Sequence, residues 1–255
     1  PITIGDTYRH GGVSQAPYKS LNLAFHVGDE PKYVRENRAI VAEYLGVEPE
    51  RISCGNQVHG LKAVEITVDL VGAGALGEDT AIADCDAVFT KLPNVPLFLF
   101  TADCVAVGIY DSKHHAIDTV HAGWRGAIGH LPVLTIEAMK EAYCTEFKDC
   151  YIYLGPSIGP ESFEVVELGK RFELAWRGMT DRSVADIVNY PGDKLDKAYI
   201  NLWNFIAEGL MVNGVPKENI AIGGTDTVTD KDCYSYRRES GKTGRMALFG
   251  MLQER

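Results

Sequence analysis

Three short apolar segments follow one another in the middle of the chain, and their spacing limits the folds that the chain can adopt. Leu97–Phe100, Val105–Tyr110 and His115–Val120 each have the length of a strand, and short connections separate them. Strands joined this closely are expected to be neighbours in a sheet. Helical patterns occur on both sides of this region, at Pro31–Leu45 and Ala127–Tyr143. The sequence therefore predicts an α/β fold.

Reactive side chains occur at the ends of these predicted strands. Cys104 lies in the bend between the first and second apolar segments, and His121 directly follows the third. His59 precedes another strand-like run, Leu61–Val71. Rigid scaffolds often present functional groups at such positions. We therefore take His59, Cys104 and His121 as the candidate site.

Two chemistries fit these three residues. Two imidazoles and one thiolate with an open fourth position are typical of a catalytic zinc site. Alternatively, Cys104 is a nucleophile and a histidine is its base. Taken singly, each histidine is more often a satisfied polar residue, and the cysteine more often a buried thiol. The sequence separation does not decide between these, because the fold must bring all three together.

The segment Pro31–Leu45 is predicted to be a helix. Asp29 or Glu30 is placed to cap it, a proline stands at an early position, and Gly46 ends it. Its apolar stripe passes through Arg38. A buried arginine needs a partner, which is either a structural carboxylate or an anionic ligand.

A second group of cations lies near the C-terminal end of the sequence. Arg237, Arg238, Lys242 and Arg245 fall within nine residues and alternate with Ser, Thr and Gly. Guanidinium groups and backbone amides in such a segment can hold a phosphate. The competing interpretation is a solvated basic hairpin. Together with Arg38, the three arginines form the predicted phosphate-binding set.

The segment Gly72–Gly77 matches G-x-G-x-x-G, but its context argues against dinucleotide binding. That fingerprint requires a helix that opens at the third glycine and an acidic residue on a following strand. Residues 78–86 contain no amphipathic run before the strand-like segment Ala87–Thr90. We interpret Gly72–Gly77 as a glycine loop.

Composition restricts the partners. The formal net charge of −10 disfavours nucleic acid and anionic membranes, so an anionic substrate needs a local basic cluster. No window approaches a membrane span and no signal peptide is evident, which predicts a cytoplasmic protein. The six cysteines are scattered without a CxxC pair, so we expect no disulfide framework. Evenly spaced glycines and prolines favour a single domain over residues 1–255.

Several short motifs occur in order along almost the whole chain. They are Pro17-Tyr-Lys-Ser-Leu-Asn-Leu-Ala24, His26-Val-Gly-Asp29, Asn37-Arg38, Gln57-Val-His-Gly60, Thr101-Ala-Asp-Cys104, Val120-His-Ala-Gly-Trp-Arg-Gly126, Gly155-Pro-Ser-Ile-Gly-Pro160, Ser235-Tyr-Arg-Arg238 and Thr243-Gly-Arg245. Together they resemble the YfiH or laccase-domain family. The resemblance implies a mixed α/β sandwich of β-sheet layers flanked by helices. It also implies a transition metal, usually zinc, bound by His59, Cys104 and His121.

The family resemblance also implies a choice of activities. Its members are known as polyphenol oxidases and as purine nucleoside phosphorylases with adenosine deaminase activity. A multicopper centre needs many imidazoles, and the chain has seven histidines with no His-x-His pair, so a full set is not available. Copper at the three-residue site would still allow oxidation of phenolic compounds. We therefore expect a zinc-dependent phosphorylase acting on a purine nucleoside and phosphate; the alternatives are a copper phenol oxidase, a Cys-His hydrolase and a non-catalytic metal-binding module.

Overall fold

The computed structural model describes residues 1–192 and 197–254. They form five α-helices and twelve strands. The helices are α1 (Pro31–Leu45), α2 (Trp124–Ile128), α3 (Leu131–Tyr143), α4 (Gly169–Met179) and α5 (Leu202–Val212). The strands are β1 (Ile2–Asp6), β2 (Ala63–Glu65), β3 (Ala87–Thr90), β4 (Leu97–Thr101), β5 (Val105–Asp111), β6 (Ala116–Ala122), β7 (Cys150–Leu154), β8 (Glu164–Val166), β9 (Val188–Asn189), β10 (Lys197–Ile200), β11 (Ile220–Ile222) and β12 (Met246–Leu252).

These strands form three sheets. The largest has the order β11-β7-β5-β6-β3-β2 and mixes parallel pairs at its two edges with antiparallel pairs at its centre. A second sheet, β1-β12-β4, is antiparallel throughout. The third, β8-β10-β9, is small. The predicted strands around Cys104 are thus divided between two sheets. β4 belongs to the second sheet, whereas β5 and β6 pair with each other in the largest sheet.

Side-chain alternation along the strands explains how the layers stack. In β4, Leu99 faces the large sheet and packs with Ala106 and Leu248, whereas Phe98 faces α1. The opposite face of the large sheet packs against α2, α3 and α5 in the main core cluster. The order of layers is therefore α1, second sheet, large sheet and the remaining helices. This arrangement confirms the predicted mixed α/β sandwich.

The predicted helix at Pro31–Leu45 is confirmed at both ends. Gly46 terminates it in the left-handed region at φ +71°, where glycine carries no steric penalty. The cap differs from the prediction, because Glu30 makes no side-chain cap hydrogen bond. The Asp29 carboxylate instead accepts from Glu30 N, the Ser14 hydroxyl and the Asn22 amide.

Two sequence-based element predictions need correction. The helix predicted over Ala127–Tyr143 is two helices, because α2 ends before Gly129 and α3 begins at Leu131. His130 between them has φ +55°, and Pro132 is compatible only with the first turn of the new helix. The strand predicted over Leu61–Val71 is limited to β2, and a 3₁₀ turn follows it.

No helix among the described residues is long and apolar enough to cross a membrane.

Candidate metal centre

Three potential ligands from separate parts of the chain meet at one edge of the sandwich. The donor atoms of His59, Cys104 and His121 all lie within 4.8 Å of one another. The Cys104 Sγ atom is 3.8 Å from His59 Nε2, and the two imidazole centroids are 4.7 Å apart. Within residues 1–192 and 197–254, this is the only group of at least three His, Cys, Asp or Glu side chains so placed.

Strand pairing explains why Cys104 and His121 are close. His121 pairs with Ala106 across the β5–β6 ladder, so the residue that precedes β5 lies beside the end of β6. His121 is buried at 3% exposure, and Cys104 is partly exposed. His59 is exposed and arrives on a loop, with φ +60°. Cys104 and His121 are therefore positioned by the sheet, whereas His59 is on a loop and depends on other contacts for its position.

Asp86 supplies that support. Its carboxylate lies 2.8 Å from His121 Nδ1 and accepts hydrogen bonds from the backbone amides of Val58, His59 and Gly60 at 2.8–3.1 Å. Occupation of His121 Nδ1 leaves Nε2 as the ligand atom, as carboxylates commonly do for metal-binding histidines. One side chain thus orients two of the three ligands.

Asp86 was not among the residues predicted from the sequence. A signal was present, because Asp86 directly precedes β3 as Cys104 directly precedes β5. The decisive fact is that β3 lies beside β6, with Ala87 opposite Val120. This antiparallel pairing brings together residues that are 35 positions apart, and no local pattern announces it.

Gly123 leaves room for the two exposed ligands. A Cβ atom at this position would lie 2.9 Å from Cys104 Sγ and 3.1 Å from His59 Cδ2. Its φ of −68° is open to any residue, so the requirement for glycine here is steric rather than conformational. The His-Ala-Gly-Trp-Arg-Gly motif therefore contributes both a ligand and the space for the other two.

Cys104 and His121 change each other's pKa. Burial raises the pKa of the Cys104 thiol, but the His121 charge and hydrogen bonds from both histidines outweigh it and lower the pKa to about 6. Burial lowers the pKa of His121, but the Cys104 thiolate and Asp86 outweigh it and raise the pKa to about 9. Near neutral pH the cysteine is therefore a thiolate, the form that binds metals.

This donor set fits a transition-metal ion, of which zinc is one. Zinc–nitrogen and zinc–sulfur bonds of about 2.0–2.3 Å place tetrahedral donors roughly 3.4–3.7 Å apart. The Cys104–His59 separation of 3.8 Å is close to that spacing. Two imidazoles, a thiolate and the second-sphere carboxylate of Asp86 are also the expected ligand chemistry.

Exchange of Asp86 for asparagine is expected to weaken zinc binding. The amide has one acceptor and one donor group, so it cannot serve His121 Nδ1 and three backbone amides as the carboxylate does. Loss of an outer-sphere partner typically costs roughly 10- to 100-fold in metal affinity. Competition with a chromophoric chelator measures this change. Asp111→Asn is the matched control, because Asp111 makes the same kind of contacts with His114 and two amides away from the metal centre. Equal zinc affinity in both variants would contradict the role of Asp86.

The three ligands open into a cavity of about 440 Å³. Its apolar wall is formed by Phe100, Trp124, Ile158, Phe163 and Leu202, and its polar wall includes His26, Gln57, Asp103, Tyr236, Arg237 and Arg245. A cavity of this size with one apolar and one cationic wall suits a small molecule that has a ring and an anionic group.

The structure brings two of the four predicted phosphate-binding arginines to this cavity. Arg245 is half-buried, and its guanidinium carbon lies 5.7 Å from the centroid of the Tyr236 ring. One of its nitrogens donates to the carbonyls of Thr243 and Gly244. Burial lowers its pKa, partly offset by the charges of Cys104 and Asp103. Arg237 is exposed; it lies 5.7 Å from the Phe163 ring and donates to Glu164 O.

Arg38 and Arg238 do not line the cavity. The Arg38 guanidinium is buried between Phe25 and Phe100, where it donates to the carbonyls of Leu23, Gly74 and Ala75. Its partners are therefore three carbonyls and the Cys54 side chain rather than the predicted carboxylate or anionic ligand. The Gly72–Gly77 loop supplies two of those carbonyls, which gives it a structural use. Arg238 likewise donates to four backbone carbonyls between residues 227 and 233.

His26 belongs to the cavity, although it was not predicted as a site residue. Although the residue is exposed, desolvation by the surrounding protein, followed by the charges of Arg245 and His121, lowers the pKa of His26 to about 4. The imidazole is therefore neutral near pH 7 and can both donate and accept a hydrogen bond. Its membership of the His-Val-Gly-Asp motif was the available signal.

The chain matches a family of known proteins over almost its whole length. Residues 3–253 match the family model described as "Multi-copper polyphenol oxidoreductase laccase". The chain belongs to this laccase-like family, which includes proteins called YfiH, as the sequence motifs indicate.

Curated relatives in this family are named as phosphorylases. A "Purine nucleoside phosphorylase" of Bacteroides thetaiotaomicron is 31% identical over 247 residues, which is 96% of this chain and 89% of the relative. "Purine nucleoside phosphorylase YlmD" of Geobacillus stearothermophilus is 31% identical over 255 residues, covering 96% of this chain and 88% of the relative.

Solved structures share the fold over almost the whole chain. The crystal structure of "hypothetical protein YfiH" from Bacillus licheniformis has a TM-score of 0.93 at 28% identity, covering 99% of this chain and 93% of the other. Neisseria meningitidis protein NMB0706 has a TM-score of 0.82 at 34% identity, covering 99% and 95%.

Proposed function

We propose that this protein is a zinc-dependent purine nucleoside phosphorylase, which converts a nucleoside and phosphate to the free base and ribose 1-phosphate. The observation that carries this proposal is one cavity holding the three-ligand centre, an apolar wall and two arginines. The names of the curated relatives support the same reaction.

The residues of the cavity suit each part of the substrates. Phe163, Trp124 and Leu202 offer an apolar surface for a purine ring. Arg245 and Arg237 provide the guanidinium groups that bind phosphate oxygens. In phosphorolysis a phosphate oxygen attacks C1′ of the ribose while the bond from C1′ to the base breaks, so the two substrates must lie side by side. A cavity of about 440 Å³ that is lined by both apolar and cationic residues can hold the two together.

The charges of the site suit the departure of the base. The leaving purine accumulates negative charge and needs a hydrogen-bond donor or a Lewis acid. A zinc ion held by His59, Cys104 and His121 would supply Lewis acidity at its open fourth position. The neutral His26 imidazole is the further donor on the cavity wall.

The proposed reaction is tested by chromatography of adenosine incubated with the zinc-loaded protein. Adenine and ribose 1-phosphate are expected to form only when inorganic phosphate is present, and a chelator should stop their formation. Formation of adenine and free ribose without phosphate would reject phosphorolysis. Activity that persists in chelator and disappears on thiol alkylation would instead identify the Cys-His hydrolase.

Two further activities are distinguished in the same incubations. Adenosine deaminase activity at the same centre would yield inosine without phosphate. The family description favours copper-dependent phenol oxidation as the second candidate. Phenol oxidation predicts oxygen consumption by the copper-loaded protein with a phenolic substrate. A non-catalytic metal-binding module predicts no product in any of these assays.

A further inference from the structure

Asp103 joins three loops beside the ligand Cys104. Its carboxylate oxygens accept a hydrogen bond from the Thr227 hydroxyl at 2.6 Å and another from the backbone amide of Arg237 at 2.6 Å. Its backbone carbonyl accepts from the amide of Ile158 at 2.9 Å. Parts of the chain separated by more than 120 positions therefore meet at one residue.

These contacts give the Asp103 carboxylate a holding role between separate loops. The residue is 9% exposed, and each of its two oxygens already has a protein donor. Although Asp103 borders the cavity, it therefore acts through the groups that it holds.

The backbone of Asp103 has an unusual conformation that serves these contacts. Its φ is +98°, a region that non-glycine residues rarely adopt. Such outliers persist where surrounding interactions over-determine them, and they cluster at functional sites. Here the carbonyl contact to Ile158 and both carboxylate contacts depend on the same turn.

The position of the Arg237 backbone amide affects where the two cavity arginines lie. Tyr236 precedes it, and the Tyr236 ring lies 5.7 Å from the Arg245 guanidinium. The Arg237 side chain extends over Phe163 and donates to Glu164 O. Fixing this amide therefore locates both candidate phosphate-binding arginines relative to Cys104.

We propose that Asp103 is a positioning residue that holds the Tyr236–Arg237 segment against the metal-bearing strand end and so sets the anion-binding wall of the cavity. The expected effect of Asp103 on phosphate binding rests on the proposed function. The expected effect on the mobility of the Tyr236–Arg237 segment does not. Two readouts therefore test it separately.

Two substitutions separate the carboxylate from the backbone turn. Asp103→Gly removes the side chain but accepts a positive φ without penalty, so the turn and the Ile158 contact should remain. Asp103→Asn keeps the size of the side chain but replaces one acceptor oxygen with an amide group, which donates and so cannot accept from the Thr227 hydroxyl or the Arg237 amide. In both zinc-loaded variants, we expect faster hydrogen–deuterium exchange in peptides spanning 235–245. Inorganic phosphate should bind about 10-fold more weakly by calorimetry, the size of one lost charge-assisted hydrogen bond, with unchanged zinc stoichiometry.

Asp230→Asn is the matched control. Asp230 accepts from the Asp232 amide in a neighbouring turn and does not line the cavity. The inference is overturned if Asp103→Gly shows the same hydrogen–deuterium exchange and the same phosphate affinity as the unmodified protein. It is also overturned if Asp103→Gly loses zinc, or if Asp230→Asn produces the same changes as the Asp103 variants. If the unmodified protein neither binds phosphate nor cleaves nucleosides, while the Asp103 variants alone exchange faster, the proposed function fails and the positioning role stands.

Discussion

Replacement of His121 by alanine is expected to abolish stoichiometric zinc binding and, with it, nucleoside cleavage. His121 is the buried member of the three ligands, and the remaining pair, exposed His59 and partly exposed Cys104, would have to hold the ion without a buried ligand. The loss of zinc affinity should exceed the roughly 10- to 100-fold loss that follows removal of a residue that only hydrogen-bonds to a ligand. Metal analysis after gel filtration measures the zinc content. Zinc affinity of the unmodified protein should also fall as the pH falls, because protons compete for the ligands.

The fold is expected to survive this change. Without His121, the Asp86 carboxylate still accepts three backbone amides, so it does not become an isolated buried charge. The lost hydrogen bond to a charged group should cost about 1.5–3 kcal/mol of stability. His114→Ala is the matched control, because it breaks the comparable 2.8 Å contact with Asp111, whose carboxylate also retains backbone amides. Full zinc content in His121→Ala, or its loss in His114→Ala, would falsify the assignment of the centre.

The sequence could predict the parts of this site that depend on local pattern. Cys104 and His121 follow or precede short apolar segments, so their meeting could be anticipated from neighbouring strands. His59 was predicted from its place before the strand-like run Leu61–Val71, of which only Ala63–Glu65 forms a strand, so its approach to the other two ligands could not be read from that run. Asp86 was not predicted, because its hydrogen bond with His121 depends on the pairing of β3 with β6. Non-local pairing is the information that hydrophobic periodicity lacks.

Arg38 illustrates a different limit. An arginine on an apolar helix stripe predicts burial, and Arg38 is 2% exposed. The identity of its partners was unpredictable, because any loop can supply backbone carbonyls and none carries a sequence signature. The same is true of Arg238. Clustering along the chain therefore overstated the number of arginines that share one cavity.

The split of the predicted helix at Gly129 and His130 had a visible cause. Pro132 lacks an amide hydrogen and fits only the first turn of a helix. Its position predicts a new start just before it, and α3 does begin at Leu131. The apolar periodicity of the segment was continuous enough to conceal that break.

Replacement of Arg245 by alanine is expected to raise the KM for phosphate by roughly 10- to 150-fold, which corresponds to the loss of about 1.5–3 kcal/mol from one charge-assisted hydrogen bond. The reason is its half-buried position on the cavity wall. None of the ion pairs found among residues 1–192 and 197–254 includes Arg245. A cation that no carboxylate contacts at ion-pair distance, beside a substrate cavity, is available to an anion. Steady-state kinetics with varied phosphate at saturating adenosine measures the effect.

Two companion variants decide what the Arg245 result means. Arg245→Lys should not restore the phosphate KM if the guanidinium contacts phosphate through two nitrogens, because an ammonium cannot reproduce that geometry. Arg238→Lys should lower the melting temperature, since the guanidinium of Arg238 joins four backbone carbonyls. Its phosphate dependence should stay unchanged. An Arg245→Ala variant with a normal phosphate KM and only a lower melting temperature would show that Arg245, like Arg238, stabilises the C-terminal segment rather than binding substrate.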